Sequence, residues 1–330
     1  MAAKVKATRF FASLRMIRVC FLAVTALAVV LLGGSAQAAW IWTPEAGRWF
    51  NPERQPKETA ALQFQYAEEL LAKGETEKAV DEYRKVLRYF PESNYCDLAQ
   101  YSIGRALEAE GEYEDAVKEY QKVINEYPNT QLFSHVLEKQ RKIGDHFFDL
   151  GVEREEKFIL WRGSNFDKAI ETYRQVIDNQ PFTGFSAEAQ YRIGMCYMKL
   201  ELYDEASAEF QKVIDYYPAS KWIAESAYGT AECKLAQTLP DVYDKTAVDE
   251  AIQKYRFFLK AYPESEHAEE ARKKLGELRE TAAEHEFRIG MYYHYNMKYD
   301  SARLYFDSII GEYPETQCAT KCRETLNKMP

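Results

Sequence analysis

The chain is expected to fold as an all-α superhelical solenoid of about six helix hairpins preceded by a signal peptide, and three observations carry this expectation. The first is an alanine followed twelve residues later by a proline, six times over: Ala79 and Pro91, Ala116 and Pro128, Ala169 and Pro181, Ala206 and Pro218, Ala251 and Pro263, Ala302 and Pro314. The second is the filling of that frame. An aromatic ring stands four residues after each alanine (Tyr83, Tyr120, Tyr173, Phe210, Tyr255, Phe306), and an apolar residue stands at seven (Val86, Val123, Val176, Val213, Phe258, Ile309). The third is an upstream partner in four of the six repeats: a small residue twelve positions before the alanine, itself preceded at three by a ring, as in Phe64 with Ala67, Tyr101 with Gly104, Tyr191 with Gly194 and Phe287 with Gly290.

Offsets of zero, four and seven lie on one stripe of an α-helix. Proline ends such a helix, because it lacks an N–H and clashes with the preceding turn. Ser or Thr stands two residues past every proline (Ser93, Thr130, Thr183, Ser220, Ser265, Thr316) and is expected to cap the next helix. The small residue lets the two helices of a hairpin approach closely. A unit with a small residue at 8, alanine at 20, ring at 24 and proline at 32 resembles the tetratricopeptide repeat.

The N-terminus stands outside this pattern. Lys4, Lys6, Arg9, Arg15 and Arg18 form a positive region, Val19 to Leu32 is apolar, and Ala36-Gln37-Ala38 is a small-residue cleavage site. Residues 1–38 therefore read as a secretory signal peptide. Their removal takes the formal net charge from −9 to −14. So acidic a chain has no electrostatic footprint for nucleic acid or for an anionic membrane surface. Residues 39–56 form an arm rich in rings and prolines (Trp40, Trp42, Pro44, Trp49, Phe50, Pro52) without helical period, expected to dock on a partner or on the first repeat; residues 57–330 form the solenoid. Cys20 falls in the signal, and the remaining five cysteines give no complete disulfide framework. Cys318 and Cys322 share a helix face and read as two small buried thiols in preference to a strained bridge.

Three interruptions break the register. From Gly144 to Ala169 thirteen residues are inserted, including Arg154 to Trp161; from Ala231 to Ala251 eight are inserted, with Leu239-Pro240-Asp241 among them. Both are expected to form loops on one face. Between Pro263 and Gly290, His267 to Asn296 reads as one long helix.

No catalytic constellation occurs. The five histidines lack metal-binding spacing, there is no Walker, dinucleotide or nucleophile-elbow glycine pattern, and the carboxylates, Glu209 among them, are expected at solvent. The chain reads as non-enzymatic and without a cofactor. The surface formed by the first helices, with Phe64, Glu68, Leu71, Tyr101, Arg105 and Glu108 in the first two repeats and Tyr191, Met195, Met198, Phe287, Met291 and His294 later, suits an extended peptide or a partner helix. For any single ring, packing between repeats is the simpler reading.

At the C-terminus, Leu278-Arg279-Glu280, Ala283 to Phe287, Tyr292-Tyr293, Lys298 to Arg303 and Glu312 to Thr316 resemble the last repeat of the BamD family, the tetratricopeptide subunit of the outer-membrane β-barrel assembly (BAM) machinery. The resemblance implies a periplasmic scaffold held at the outer membrane. Its N-terminal repeats would receive the terminal strand of unfolded outer-membrane proteins, here around Phe64, Glu68, Leu71, Tyr101, Arg105 and Glu108. Its C-terminal repeats would bind periplasmic domains of the barrel-forming BamA subunit, here around Arg279, Glu286, Arg288 and Tyr292, with the chain a monomer within a hetero-complex. Cys20 precedes the apolar run and does not form a lipobox, so membrane association is expected through partners. The competing reading is a free periplasmic repeat scaffold of the Tol-Pal or cell-wall coordination type. The intact mass of the protein from membranes is expected to begin at Ala39 without lipid; a diacylglyceryl adduct, or retention of residues 1–38, would contradict that.

Overall fold

A computed structural model describes residues 41–43, 48–50, 55–155, 162–238 and 244–329. Residues 1–38, expected to be a signal peptide, residues 156–161 and Leu239-Pro240-Asp241 lie outside the described residues. The chain divides into two units, residues 1–59 and 60–330. In the first, β1 (Ile41–Thr43) and β2 (Arg48–Phe50) pair antiparallel, with Trp42 opposite Trp49, so part of the arm is a short hairpin.

The second unit is all helix. Its elements are α1 (Ala60–Ala72), α2 (Thr76–Tyr89), α3 (Cys96–Ala109), α4 (Tyr113–Glu126), α5 (Phe133–Glu155), α6 (Arg162–Asn179), α7 (Gly184–Lys199), α8 (Tyr203–Tyr216), α9 (Ile223–Ala236), α10 (Lys245–Ala261), α11 (Ala268–Tyr295), α12 (Tyr299–Glu312) and α13 (Gln317–Leu326). Successive helices pack as antiparallel pairs, which makes six hairpins and a terminal helix among the described residues. No described helix is long and apolar enough to cross a membrane.

The repeat positions are the core. All six alanines of the frame, all six rings and all six apolar residues at seven are fully buried. In four hairpins the ring lies against a glycine of its partner helix. A methyl group added to Gly104, Gly144, Gly194 or Gly290 would sit 2.6–2.7 Å from the ring of Tyr120, Tyr173, Phe210 or Phe306. The close approach therefore needs bare backbone at these four positions.

Helix ends follow from local chemistry. Phe90, Tyr127, Tyr217, Tyr262 and Tyr313, each just before a repeat proline, take φ between −126° and −133°, because the proline ring excludes the α conformation from its predecessor. Between the helices of a hairpin the chain turns through a left-handed residue: Gly74 (φ 76°), Gly111 (φ 82°), Glu201 (φ 61°) and Met297 (φ 60°). The next N–H returns to a carbonyl of the preceding helix, as in Glu75 to Leu70 (3.0 Å) and Lys298 to Tyr293 (3.0 Å), which closes a Schellman turn.

The capping expectation holds in two hairpins and is displaced in four. Thr183 and Thr316 accept from Ser186 N and Ala319 N and cap α7 and α13 directly. Ser93, Thr130, Ser220 and Ser265 instead accept from the N–H two residues on, so they fix the turn ahead of the helix.

The insertion expected to loop out between Gly144 and Ala169 mostly does not. It lengthens both helices, α5 to 23 residues and α6 to 18, against 14 in α3 and α4. The two grow antiparallel and in register, so a second glycine, Gly151, meets a second ring, Phe166, one step further along. In the fifth hairpin Asp244 caps α10 through Thr246 N and Ala247 N. The long helix predicted from His267 is α11, 28 residues without a break.

Glu209 is a correction. It is 8% exposed and accepts from the buried Gln190 amide on the facing helix, while Lys212 lies 3.0 Å away. Gln63 with Glu82 (2.5 Å) and Gln100 with Glu119 repeat the pairing, each with a lysine three residues past the glutamate. Thr172 stands at that position in the third hairpin, so Gln140 turns to Gln121 instead (2.9 Å). All five cysteines of the described residues are buried and free. Burial pushes the Cys318 thiol up to about 11 and that of Cys322 up to about 12.

Replacing the fully buried Ala206 by Leu should overpack the fourth hairpin and lower its stability by ~1–3 kcal/mol. Glu209→Ala should also lower it, by ~1–3 kcal/mol, because the Gln190 amide loses its acceptor. The exposed change Ala208→Ser should stay within ~0.5 kcal/mol. Urea midpoints of the three variants test this register.

Candidate binding surface on the first helices

Four of the six repeat rings are tyrosines, and each of the four donates its hydroxyl to a carboxylate on the first helix of its own hairpin. Tyr83 reaches Glu68 (2.5 Å), Tyr120 reaches Glu108 (2.7 Å), Tyr173 reaches Asp145 (2.7 Å) and Tyr255 reaches Glu232. A cation answers each carboxylate, always including one from the next first helix: Arg105 to Glu68 (3.7 Å), Lys139 to Glu108 (3.0 Å), Arg192 to Asp145 (3.6 Å) and Lys274 to Glu232 (2.7 Å). Arg141, on the same helix as Asp145, adds a 2.6 Å contact to it and reaches across to Glu188 (3.2 Å). Burial first, and the adjacent carboxylate with it, raises all four phenols far above the ordinary tyrosine range, so they remain donors.

Phe210 and Phe306 have no hydroxyl to give. At the corresponding positions on their partner helices stand Met195 and Met198, and Met291, with no carboxylate. The first-helix surface is thus a ladder of tyrosine, acid and cation, interrupted by methionine at the fourth and sixth hairpins. This pairing of ring identity with acid or methionine is visible in the sequence once the repeats are aligned, and so is the Gln–Glu spacing of 19 residues.

The six residues expected to receive a peptide divide between this ladder and the core. Phe64 packs on Tyr83 and Tyr95 (centroids 5.4 and 5.6 Å), Tyr101 packs on Tyr120 (5.4 Å), and Leu71 joins the first hairpin's core. The contacts with Tyr83 and Tyr120 lie within a hairpin, and that of Phe64 with Tyr95 joins the first hairpin to the second. Glu68 and Arg105 meet across α1 and α3 with roughly two fifths of each side chain exposed, whereas Glu108 serves Tyr120 and Lys139. Of the six, Arg105 is exposed and the other five are half-buried.

The four residues assigned to a partner at the C-terminus are equally mixed. Arg279 and Glu286 were expected as exposed interface charges, and both are internal ties. Arg279 holds both oxygens of Glu315, donates to the Glu312 carbonyl (2.8 Å) and lies over the Tyr313 ring, with 11% of its side chain exposed. Glu286 accepts from Lys245 of α10 at 2.7 Å with 12% exposed. Proximity drew them into the fold, since the loop before α13 and the first turn of α10 supply the opposite charges. Arg288 and Tyr292 are exposed.

Residues 160–329, just over half of the chain, match the YfiO outer membrane lipoprotein family, and residues 65–129 match the tetratricopeptide repeat. The chain belongs to the YfiO family. This is the BamD-type family whose last repeat the C-terminal residues resemble. No curated protein matches the chain. Among solved structures, a thermophilic tetratricopeptide protein of Thermus thermophilus is 16% identical over 67% of this chain and 98% of its own, with a TM-score of 0.34. The C-terminal part of a repeat protein from Cytophaga hutchinsonii is 18% identical over 81% and 88%, at 0.37. A MamA fragment from Desulfovibrio magneticus is 16% identical over 64% and 99%, at 0.33. The family match covers α6 to α13, the part of this YfiO-family chain that holds the Arg279 and Glu286 ties.

Arg279→Glu should lower the urea midpoint by an amount equivalent to ~1.5–3 kcal/mol, because Glu315 loses a charged partner and gains a like charge. The hydrogen bond from Arg279 holds the Glu315 carboxyl below its ordinary range. A depressed carboxyl stabilises the fold above its unfolded value and loses that stabilisation as pH falls through its folded value. The parent should therefore lose stability in acid below the ordinary carboxylate range relative to the variant, and stability curves of the two from neutral to acid pH measure the difference.

Proposed function

We propose that this chain is a non-enzymatic scaffold of the outer-membrane β-barrel assembly machinery, working in the periplasm and attached peripherally at the outer membrane through its partners. Its first two hairpins receive segments of unfolded outer-membrane proteins at Glu68, Arg105 and their surroundings. Its last hairpin docks on the periplasmic domains of a BamA-type subunit. One observation carries the docking assignment. Two residues past the small residue of the first helix, hairpins two, four and five bury Ala106, Cys196 and Cys233 completely; in the last hairpin the same position is Tyr292, 64% exposed. A solenoid hairpin stacks only on its neighbours, and Ala106 and Cys233 are covered by the hairpin before theirs, a cover that Tyr292 lacks. The turn end of the last hairpin presents Tyr292, Tyr295 (76% exposed) and Met297 (77% exposed), and on α12 Leu304 stands where the other hairpins have Asp81, Lys118, Glu171, Ala208 and Gln253. Exposed rings and methionine gathered around one hairpin turn suit the apolar surface of a partner.

The test is co-purification and titration of the full chain with periplasmic BamA domains from the same organism. Tyr292→Ser with Tyr295→Ser should weaken binding by about 30-fold or more, the scale of losing an interface hot spot, with an unchanged helical melt. Met297→Gly should weaken binding while holding or raising stability by up to ~1 kcal/mol, because glycine accepts the left-handed turn that methionine occupies at φ 60°. Failure of the parent to bind at tens of micromolar, together with capture of Tol-Pal components, would assign the chain to the free periplasmic scaffold class.

A further inference from the structure

We propose that Glu225, Glu266 and His267 form a binding site for a divalent transition-metal ion of the zinc class, at the point where the fifth hairpin passes into the long helix α11. Glu225 lies in the first turn of α9, and Glu266 and His267 lie in the turn that opens α11. The His267 Nε2 atom stands 2.7 Å from a Glu225 carboxylate oxygen and 3.7 Å from one of Glu266, and one ligand atom from each residue falls within 4.8 Å of the other two. Zinc bound at about 2.0–2.2 Å to nitrogen and oxygen sets tetrahedral ligands roughly 3.3 Å apart. The two contacts to Nε2 bracket that spacing, each within about half an ångström of it. Imidazole with two carboxylates is a donor set suited to zinc and its neighbours, and three protein ligands leave a position for water or for a partner's side chain.

Two features outside the cluster prepare it. The His267 ring lies flat on Tyr228, with centroids 4.4 Å apart and planes 3° from parallel, which fixes the direction in which Nε2 points. The nearby cation Lys274 is committed elsewhere, to Glu232 (2.7 Å), Glu270 (2.9 Å) and the Tyr228 hydroxyl (3.0 Å), so it does not neutralise the pair of carboxylates facing Nε2. The second cluster of comparable composition, Glu280, Glu284 and Cys318, differs in this respect. Both Glu280 oxygens there accept backbone N–H groups of Gln317 and Cys318 and cap α13. Of the two clusters among the described residues, the His267 cluster alone has its carboxylates turned to a nitrogen on which a metal can replace a proton.

The experiment is calorimetric titration of Zn²⁺ into the chelator-stripped full-length chain, with thermal melts in the same buffers. The proposal expects one equivalent bound at micromolar or tighter affinity and a melting temperature that rises with zinc. His267→Ala should abolish that site. Glu266→Gln changes a side chain that is 79% exposed and leaves the His267 stack intact; it should retain the parent's melt without zinc and bind at least ten-fold more weakly. His135→Ala, at an exposed histidine elsewhere, should bind as the parent does. No stoichiometric binding, or binding that survives both His267→Ala and Glu266→Gln, would overturn the proposal, the latter outcome marking adventitious surface binding only.

Discussion

The structure depends on one contact made again in each hairpin: an aromatic side chain of the second helix laid on the backbone of the first. Burial of a large ring supplies much of the apolar area that a two-helix unit can remove from water. A methyl group at Gly104, Gly144, Gly194 or Gly290 would fall well inside contact distance of that ring. At these four hairpins the distance between the two helices is therefore set by the thickness of the ring, while Ala67 and Ala231 hold the position in the first and fifth. With that separation fixed, the alanine of the second helix and the apolar residue at seven meet the neighbouring hairpin, and stacking follows. Every other regularity, the Gln–Glu pairs included, is geometry that this contact makes available.

The same ring couples core and surface. Where it is tyrosine, its hydroxyl emerges on the first-helix face and demands an acceptor, and the acceptor's charge demands a cation from the next hairpin. One atom on a buried ring thus fixes the charge pattern of the face where a peptide would bind and ties consecutive hairpins together. Where it is phenylalanine the chain of demands stops, and methionine occupies the surface. A scaffold so arranged carries acid–cation pairs that are already satisfied, separated by places where only apolar contact is on offer.

The frame of alanine, ring and proline was readable because six copies multiply a weak signal, and the long helix was readable from unbroken periodicity between Pro263 and Lys298. The third hairpin misled for a physical reason. An insertion between the two helices is not distinguishable from a loop by spacing, yet Gly151 and Phe166 repeat the ring-on-glycine contact and continue the helices. Glu209 and Arg279 misled in the opposite way. Each is charged, and each is held by a partner elsewhere in the sequence, Gln190 or Glu315, that single-helix periodicity does not report. The exposure of Tyr292 was not legible from the repeat frame, since the equivalent Ala106 and Cys233 are buried by the hairpin before theirs, a contact that spacing within one hairpin does not report.

The lengthened third hairpin has a consequence for how such a chain can change. Seven residues separate Gly144 from Gly151, close to two helical turns and roughly 10 Å along the axis. Adding that much to both arms returns the next glycine and the next ring to the same facing position. Length can thus be gained in whole double turns while stacking on either side stays in phase. Any other increment would rotate the added segment off its partner and expose the ring. Reach along the hairpin axis is accordingly quantised in this architecture, and a graft of a further double turn carrying one glycine and one aromatic residue would extend the third hairpin without disturbing its neighbours.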